Sequence, residues 1–501
     1  MNLSILLDMA VDGLGDRTVL GRRNESFCAA EVSALSDASA ALLKSRGVKA
    51  LVYLDVNDPC FTIALFAAAR ACIPLVPLNY RQSEEQLVAL LAKHPGGLVI
   101  TDGRFADACS TAGLDRIARA DWLAEAAANP VPRSDQPPGD TDAPAVIIYT
   151  SGTTSEPKGV VLRHENLTSY VLGSVEFAGA DESEAALVSV PPYHIAAVAN
   201  AITNLYAGRR AVVLERFTGE EWLDVVRTEA ISHALVVPTM LARIMSTTCD
   251  RQVPSLRTLS YGGAAMPQRV IEQALAEWSH VGFVNAYGLT ETSSTIAVLG
   301  PDDHRSAIES SDEHVRRRLS SAGQVLPTVE IEIRGPAGEV LASGLVGRIW
   351  VRGEQVSGEY SGTGSVLDAD GYFDTRDEGQ LDEGGYLFVG GRTDDTIIRG
   401  GENIAPAEIE TVLLAHPRVI DAVVVGVPDT EWGQRLEAVI VVDRALADPE
   451  EPREFVRARL RGSKTPDVVH VWDELPRTET GKLVRRHVLS RLASESAEVA
   501  G

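Results

Sequence analysis

Short apolar runs alternate along most of this chain with longer stretches rich in Ala, Leu and Glu. Residues 50–54, 97–100 and 211–214 are such runs, whereas residues 84–93 and 220–229 have the composition of helices. Strands that alternate with helices form parallel sheets, because each crossover helix covers a face of the sheet that it connects. The pattern therefore predicts an α/β fold built on parallel sheets.

From about residue 321 the pattern changes. The apolar runs 329–333 and 348–351 lie among frequent glycines, and few stretches have helical composition. Closely spaced strands with short connections are typical of antiparallel sheets. We therefore predict a small β-rich subdomain over about 321–392.

A polar joint follows this region and divides the chain. The length of 501 residues also argues for more than one domain, since single hydrophobic cores stop growing near about 250–300 residues. We predict an N-terminal domain over 1–392 with two parallel α/β subdomains and the β-rich subdomain. A hinge at 393–395, centred on Asp394, then leads to a small α+β C-terminal domain over 396–501.

Charge and composition exclude several classes of protein. The net charge of −24 disfavours binding to nucleic acid and to anionic membranes. The five cysteines form no CxxC pair, which predicts reduced thiols and a cytoplasmic location. The most apolar stretch, residues 61–78, is interrupted by Arg70 and Pro74, so we expect a buried helix and strand there and no membrane span.

A loop rich in hydroxyl groups and glycine carries the strongest chemical signal. Residues 145–149 have the pattern of a buried strand, and residues 150–159 follow with Thr, Ser and Gly and with Lys158. Backbone N–H groups, hydroxyls and one ammonium suit the oxygens of a polyphosphate. The loop is not a Walker A motif, because Lys158 precedes Gly159 instead of following a glycine. On composition alone, a surface loop without function remains an equal alternative.

Two hydrolase motifs fail. Residues 155–158 match S-x-x-K, but the S-D-N and K-T-G companions of the penicillin-recognising enzymes are absent, and so is a G-x-S-x-G elbow. His164 and Glu165 are not followed by a histidine at position 168, and the ten histidines are scattered. Neither a serine hydrolase nor a zinc enzyme is therefore expected.

Five segments in order resemble the adenylate-forming superfamily, which contains acyl-CoA synthetases, the adenylation domains of peptide synthetases and luciferases. The resemblance spans nearly the whole chain. It implies an AMP-forming ligase with a mobile C-terminal lid domain, using ATP, Mg²⁺ and coenzyme A. The segments are residues 149–159, 285–292, 371–377, 392–403 and 475–482.

The resemblance implies a nucleotide site. Tyr287 would stack on adenine opposite Gly262, and Asp377 would accept both ribose hydroxyls. Glu291, with Thr154, would hold Mg²⁺, a cation that prefers oxygen ligands. Taken singly, Tyr287 is more often a core tyrosine and Asp377 more often a turn aspartate, and Glu291 is also compatible with a surface helix cap. The implied nucleotide-binding residues are Thr150, Ser151, Gly152, Thr153, Thr154, Lys158, Gly263, Ala264, Tyr287, Gly288, Asp377 and Arg392.

The same resemblance implies three catalytic residues, Lys482, Glu291 and Thr290. Lys482 would bridge the attacking carboxylate and the α-phosphate, because a positive charge there offsets the repulsion of two anions. Thr290 would bind the α-phosphate. The chain has only six lysines, and two of them, Lys158 and Lys482, fall in these segments, which favours function over surface filling.

The resemblance also implies a second half-reaction, which requires movement at the hinge. The C-terminal domain would swing about Asp394 and present the thiol tunnel, formed by Arg399, Gly400, Gly401 and Glu402. Two consecutive glycines allow close backbone approach to a pantetheine arm. Free CoA is the first choice of acceptor and a carrier protein is the second. Adenylation without transfer, and a nucleotide-binding pseudoenzyme, are further alternatives.

The identity of the carboxylic acid substrate can be inferred only from the residues of its pocket. The resemblance assigns the pocket to His194, Ile195, Ala196, Ala197, Gly262 and Gly263. The pocket segment lacks an aspartate to hold an α-ammonium group, which favours an ordinary carboxylic acid over an amino acid. The small alanines leave room for a fatty or bulky acyl group, and His194 is either a gate or a packed core residue. The expected assembly is a monomer or a homodimer.

One position departs from the family pattern. Arg376 stands where the ribose motif has glycine. A bulky side chain at this position either alters the loop or reaches a phosphate.

Overall fold

The computed structural model describes residues 1–133, 143–150, 157–392, 395–430, 432–442, 448–460, 462–478 and 483–500. Short 3₁₀ helices occur at Gly103–Phe105, Thr290–Thr292, Arg318–Ser320 and Gly462–Lys464.

The first third of the chain, apart from its first two strands, forms a mostly parallel sheet with helices on both faces. Its central strands run in the order β6-β5-β3-β4-β7 and are parallel, and β8 is antiparallel to β7. Consecutive residues of these strands enter two hydrophobic clusters, Leu51 and Leu75 in one, Val52 and Val76 in the other. Burial on both faces explains the continuous apolar runs. The elements are α1 (Ile5–Leu14), β1 (Thr18–Arg22), β2 (Glu25–Cys28), α2 (Ala29–Ser45), β3 (Leu51–Tyr53), α3 (Pro59–Ala71), β4 (Leu75–Pro77), α4 (Glu84–Leu91), β5 (Leu98–Ile100), α5 (Ala106–Thr111), β6 (Asp115–Ile117), α6 (Arg119–Ala128), β7 (Pro144–Thr150) and β8 (Lys158–Arg163).

A second sheet follows and is parallel from β1 to β13. Its order is β1-β10-β9-β11-β12-β13, and β2 closes the outer edge as an antiparallel strand. The new elements are α7 (His164–Ser174), β9 (Ala185–Val188), α8 (Ile195–Ala207), β10 (Arg210–Val213), α9 (Gly219–Thr228), β11 (His233–Val236), α10 (Pro238–Ser246), β12 (Thr258–Gly262), α11 (Gln268–Glu277) and β13 (Gly282–Leu289).

The β-rich region is antiparallel, as its sequence predicts, but it is not a separate sheet. The second sheet continues from β13 in the order β14-β15-β21-β20-β17-β16, whereas β18 and β19 extend the first sheet beyond β8. Pairing in both directions covers strand edges that would otherwise stay open. The elements are β14 (Ser294–Leu299), α12 (Pro301–Glu309), α13 (Glu313–Arg317), β15 (Gly323–Val325), β16 (Glu330–Arg334), β17 (Gly347–Arg352), β18 (Glu359–Tyr360), β19 (Gly364–Ser365), β20 (Phe373–Leu381) and β21 (Tyr386–Arg392).

The C-terminal part has a hydrophobic core of its own, in which Ile409 and Leu413 pack against Val424 and Ile440. The side chain of Ala407 also lies close to Gly391, so this part touches the end of β21. The elements are β22 (Ile397–Arg399), β23 (Glu402–Ile404), α14 (Pro406–Leu414), β24 (Val419–Asp429), β25 (Gly433–Val442), α15 (Glu450–Arg457), β26 (Val468–Val471) and α16 (Arg485–Ala500).

The predicted α/β fold class is confirmed by this architecture. Residues 61–78 form most of α3 and then β4, as the sequence predicts. Among the described residues, no helix is both long and apolar enough to cross a membrane. The domain boundaries stay predictions, and two hinge residues, Thr393 and Asp394, lie outside the described residues.

Candidate active site

The predicted phosphate loop joins the ends of β7 and β8. The last residue of β7, Thr150, is paired with Lys158, the first residue of β8. Since β7 runs parallel to β4, the loop leaves the sheet at the carboxyl ends of its parallel strands, where α/β folds bind ligands. The loop residues Ser151, Gly152, Thr153 and Thr154 lie outside the described residues.

Two side chains contact the end of the strand that leads into this loop. The hydroxyl of Tyr149 lies 2.9 Å from Nε2 of His94, and Nζ of Lys93 lies 5.8 Å from the centre of the Tyr149 ring. Burial raises the pKa of Tyr149 to about 12, so its hydroxyl stays protonated. The base of the loop is therefore held by side chains as well as by the β-ladder.

The predicted magnesium residue lies beside β8. Thr290 and Glu291 belong to the 3₁₀ helix that directly follows β13. Oε1 of Glu291 accepts a hydrogen bond of 2.8 Å from the hydroxyl of Tyr360, and Nζ of Lys158 lies 5.7 Å from the centre of the same ring. The structure thus brings Glu291 and Lys158 together through Tyr360, which the sequence analysis missed.

The predicted ribose residues also converge. Asp377 on β20 is paired with Arg392 on β21, and Tyr287 reaches Asp377 from β13. The hydroxyl of Tyr287 donates to Oδ2 of Asp377 at 2.6 Å, and Nε of Arg392 lies 3.3 Å from Oδ1. Burial, followed by the Asp377 carboxylate, raises the pKa of Tyr287 well above its usual value. Tyr287 therefore acts as a donor, which orients the carboxylate.

The predicted adenine side of the site lies at the ends of β12 and β13. Gly262 at the end of β12 is paired with Ala286, next to Tyr287, and Gly263 and Ala264 continue from it. Gly288 cannot carry a side chain, because a Cβ there would lie 1.7 Å from the backbone oxygen of Ser294. The close approach of β14 therefore requires a glycine after Tyr287.

The predicted acid pocket contains the start of α8. His194 precedes the helix, and Ile195, Ala196 and Ala197 form its first turn. The ring of His194 lies 4.5 Å from that of Tyr193, and burial lowers the pKa of His194 to about 4. The imidazole is therefore neutral at pH 7, so this part of the pocket carries no charge.

The predicted thiol-tunnel residues form the turn between β22 and β23. Gly400 and Gly401 both have positive φ, 56° and 81°, which a tight hairpin turn requires. The turn packs on Trp432, whose backbone oxygen accepts from the N–H of Gly400 at 2.8 Å. Arg399 lies 5.5 Å from the Trp432 ring and donates to Asp467 at 2.6 Å, and Glu402 begins β23. The ring of Trp432 is an exposed surface that the sequence analysis did not identify.

Lys482 lies outside the described residues, but both ends of its loop are described. Arg477 and Leu483 form a β-bridge, and the guanidinium of Arg477 binds both carboxylate oxygens of Asp421, at 2.9 and 2.6 Å. The loop is therefore closed at its base by backbone and side-chain bonds. Three more of its residues, Glu479, Thr480 and Gly481, likewise lie outside the described residues.

Residues 7–361 match the family model of an AMP-binding enzyme, and residues 408–482 match that of the C-terminal domain of such enzymes. The chain belongs to the AMP-binding enzyme family. This membership confirms the resemblance inferred from the five segments.

Relatives of this AMP-binding enzyme align over most of its length. A feruloyl-CoA synthase from Amycolatopsis sp is 33% identical over 464 residues, 90% of this chain and 90% of that protein. A fatty acid–acyl-carrier-protein ligase, ScoC, from Streptomyces coeruleorubidus is 31% identical over 469 residues, 89% of this chain and 87% of that protein.

A solved structure of similar fold is o-succinylbenzoate CoA synthetase (MenE) from Bacillus subtilis. Its complex with the acyl-adenylate intermediate OSB-AMP has a TM-score of 0.83 and 28% identity, covering 96% of this chain and 97% of that chain. Its complex with ATP and a magnesium ion has the same TM-score and identity, covering 97% and 99%.

Arg376 of this AMP-binding enzyme has a left-handed backbone conformation, with φ of 62°. Its N–H donates to Oδ1 of Asp374, which favours this local turn, and the side chain is exposed. A left-handed conformation costs a residue with a Cβ about 1–2 kcal/mol and costs glycine little. The left-handed backbone therefore explains why the family pattern has a glycine at this position.

We expect Arg376→Gly to raise the free energy of unfolding by about 1 kcal/mol, measured by thermal melting, because it removes this strain. Arg376→Ala is the matched control, since alanine removes the charge and keeps the Cβ. Equal stabilisation by both substitutions would assign the effect to the charge instead of to the backbone.

Proposed function

We propose that this chain is an ATP- and Mg²⁺-dependent, AMP-forming ligase that joins an aromatic carboxylic acid to coenzyme A. The observation that carries the proposal is the convergence of Glu291 with Lys158, and of Tyr287 with Asp377 and Arg392, in a member of the AMP-binding enzyme family. The sequence-based prediction of an acyl-CoA synthetase is confirmed by this family and by its CoA-ligase relatives.

The reaction has two steps. An oxygen of the acid attacks the α-phosphorus of ATP, the bond to the pyrophosphate oxygen breaks, and an acyl-adenylate forms. The sulfur of the CoA thiol then attacks the acyl carbon, the bond to the AMP oxygen breaks, and the thiol proton passes to solvent. The complexes of MenE with ATP and magnesium and with an acyl-adenylate support this order.

The described residues would bind the nucleotide at its two ends. Asp377, oriented by Tyr287 and Arg392, would accept the ribose hydroxyls, and the backbone beyond Gly262 would lie beside the adenine. Lys158, the first residue of β8, would bind the phosphates. In this way ATP is fixed before the acid arrives, so that the α-phosphorus is presented in one orientation.

The carboxylate of Glu291 is suited to bind Mg²⁺ together with substrate phosphates. Within the described residues, no group of three or more His, Cys, Asp or Glu side chains could hold a metal ion. Mg²⁺ is commonly bound by one or two carboxylates together with substrate phosphates and water. Glu291 supplies such a carboxylate, and the ion, when bound, would neutralise charge on the phosphate oxygens.

The described part of the pocket favours an aromatic acyl group. His194 is neutral at pH 7, and the small residue Ala196 follows it in the first turn of α8, whereas Ala197 is buried in the hydrophobic core. An imidazole ring next to the ring of Tyr193 offers an aromatic wall to a flat substrate. The feruloyl and o-succinylbenzoyl substrates named for two similar proteins are both aromatic, which supports an aryl carboxylic acid.

A panel of acids run with and without CoA tests the proposal. We expect aryl acids to support exchange of labelled pyrophosphate into ATP, and to yield AMP and acyl-CoA when CoA is added. Amino acids serve as the control and are expected to support no exchange. Absence of exchange with every acid in a broad panel would remove the ligase assignment.

A carrier protein is the second candidate acceptor, because ScoC is named for a carrier-protein substrate. Exchange without acyl-CoA formation, followed by loading of a supplied carrier protein, would favour this candidate. A cytoplasmic location is part of the proposal, and the five free cysteines fit a reducing compartment. The oligomeric state, monomer or homodimer, stays a prediction.

A further inference from the structure

The segment 357–361 lies alongside strand β8, next to the phosphate loop. Tyr360 on β18 is paired with Val160, and the N–H of Ser361 donates to the backbone oxygen of Gly159 at 2.7 Å. The hydroxyl of Ser357 also donates to the backbone oxygen of Val161. Backbone bonds thus fix the position of Tyr360 relative to Lys158, two residues before Val160.

The same segment holds Glu291 by two kinds of contact. The N–H of Ser357 donates to the backbone oxygen of Glu291 at 2.8 Å, and the hydroxyl of Tyr360 donates to its Oε1, also at 2.8 Å. An ionised carboxylate has about four lone-pair sites, so one hydrogen bond at Oε1 leaves capacity for a cation. The bond therefore fixes the side-chain rotamer without occupying the carboxylate.

The ring of Tyr360 faces a positive charge. Nζ of Lys158 lies 5.7 Å from the ring centre, within the range of a cation–π contact. Lys158 is exposed, so the ring is a defined contact for a side chain that otherwise extends into solvent. One tyrosine thus touches both the predicted magnesium carboxylate and the lysine of the phosphate loop.

We propose that Tyr360 is a positioning residue that holds Glu291 for Mg²⁺ and Lys158 for the phosphates of ATP. The inference rests on the proposed function for the identity of the cation and nucleotide. It adds a residue that lies outside the five segments resembling the adenylate-forming superfamily. Neither a hydrogen bond nor a ring contact of Tyr360 was predicted by the sequence.

Tyr360→Phe tests the hydroxyl, because it keeps the ring over Lys158. We expect the Mg²⁺ concentration that gives half-maximal ATP binding, measured by calorimetry at fixed ATP, to rise about tenfold, as for the loss of a hydrogen bond to a charged group. The pyrophosphate exchange assay is expected to show the same shift in Mg²⁺ dependence.

The matched control is Tyr386→Phe. The hydroxyl of Tyr386 donates to Oδ1 of Asp303 at 2.6 Å, so this substitution removes the same type of bond from the same β-rich region. We expect its Mg²⁺ dependence to equal that of the parent protein. A general loosening of the region would shift both variants together and would contradict a specific role of Tyr360.

A double-mutant cycle separates positioning from folding. In the Glu291→Gln background, where the carboxylate charge is gone, Tyr360→Phe is expected to change Mg²⁺ dependence by less than about twofold. If the effects of Tyr360→Phe and Glu291→Gln on Mg²⁺ dependence were additive, the inference would be overturned.

Tyr360→Leu tests the ring. We expect it to raise the KM for pyrophosphate in the exchange reaction above that of Tyr360→Phe, because Lys158 loses its contact. Equal values for both variants would remove the Lys158 part of the proposal, and thermal melting would show whether each variant folds.

The calorimetric measurement needs no acid, which distinguishes the two proposals. In one outcome, the parent protein binds Mg²⁺ and ATP, the Tyr360→Phe variant shows the shift in Mg²⁺ dependence, and none of the acids supports pyrophosphate exchange. This outcome would retain the positioning role and remove the ligase assignment. A parent protein that exchanges pyrophosphate, with an unshifted Tyr360→Phe variant, would retain the ligase and lose the positioning role.

Discussion

Lys482→Ala is expected to lower kcat of acyl-adenylate formation by at least about 10²–10³-fold, the effect of removing a preorganised charge from a transition state. Acyl transfer from a supplied acyl-adenylate to CoA is expected to persist. The physical reason is that two anions, the carboxylate and the α-phosphate, must approach each other only in the first step. Rapid-quench measurement of both half-reactions with the same enzyme preparation checks the split.

The control for this prediction is Lys464→Ala. Lys464 also lies in the C-terminal part of the chain, where its ammonium is paired with Glu408. We expect both half-reactions of this variant to match those of the parent protein. Loss of both half-reactions in Lys482→Ala would show that the lysine does not leave the site between steps, and the predicted swing at Asp394 would be wrong.

Asp377→Asn is expected to raise the KM for ATP by about 100-fold, with a smaller effect on kcat, because hydrogen bonds to a charged group contribute about 1.5–3 kcal/mol. The carboxylate lies between the hydroxyl of Tyr287 and the guanidinium of Arg392, and its side chain is only 9% exposed. An amide of similar volume offers one acceptor instead of two and leaves Arg392 without its carboxylate partner.

A deoxynucleotide comparison makes this prediction specific. The parent protein should bind 2′-deoxy-ATP more weakly than ATP, whereas Asp377→Asn should discriminate little between them. Asp382→Asn, which removes the carboxylate partner of Arg318 at the next turn, is the control and should leave the KM for ATP unchanged. Retained discrimination by Asp377→Asn would show that another residue holds the ribose.

The sequence predicted the site residues that fall in continuous segments. Tyr287 and Glu291 are four residues apart on one strand and its following turn, and Asp377 belongs to a short glycine-flanked motif. Their spacing reflects local backbone geometry, which a sequence pattern records directly. The departure at Arg376 was also visible in the sequence, although its cause, a left-handed backbone, is visible only in the structure.

Tyr360 could not be predicted in this way. Its partners, Glu291 and Lys158, lie 69 and about 200 residues away and share no local pattern with it. The contact exists because β18 leaves the β-rich region and pairs with β8 of the first sheet. Sequence periodicity predicts that a strand forms but does not predict its partner, since strand pairing depends on which edge is open and how the layers pack.

The amino-acid sequence by itself determined the α/β class and the AMP-binding family, and it predicted the residue types that would meet the nucleotide. These depend on local periodicity and on short motifs whose chemistry suits phosphate, ribose and magnesium. Only the tertiary structure decided how the β-rich strands divide between two sheets, and thereby which tyrosine touches Glu291. The physical reason is that strand pairing and side-chain contacts across layers are set by the packing of distant segments, which no local stretch of sequence encodes.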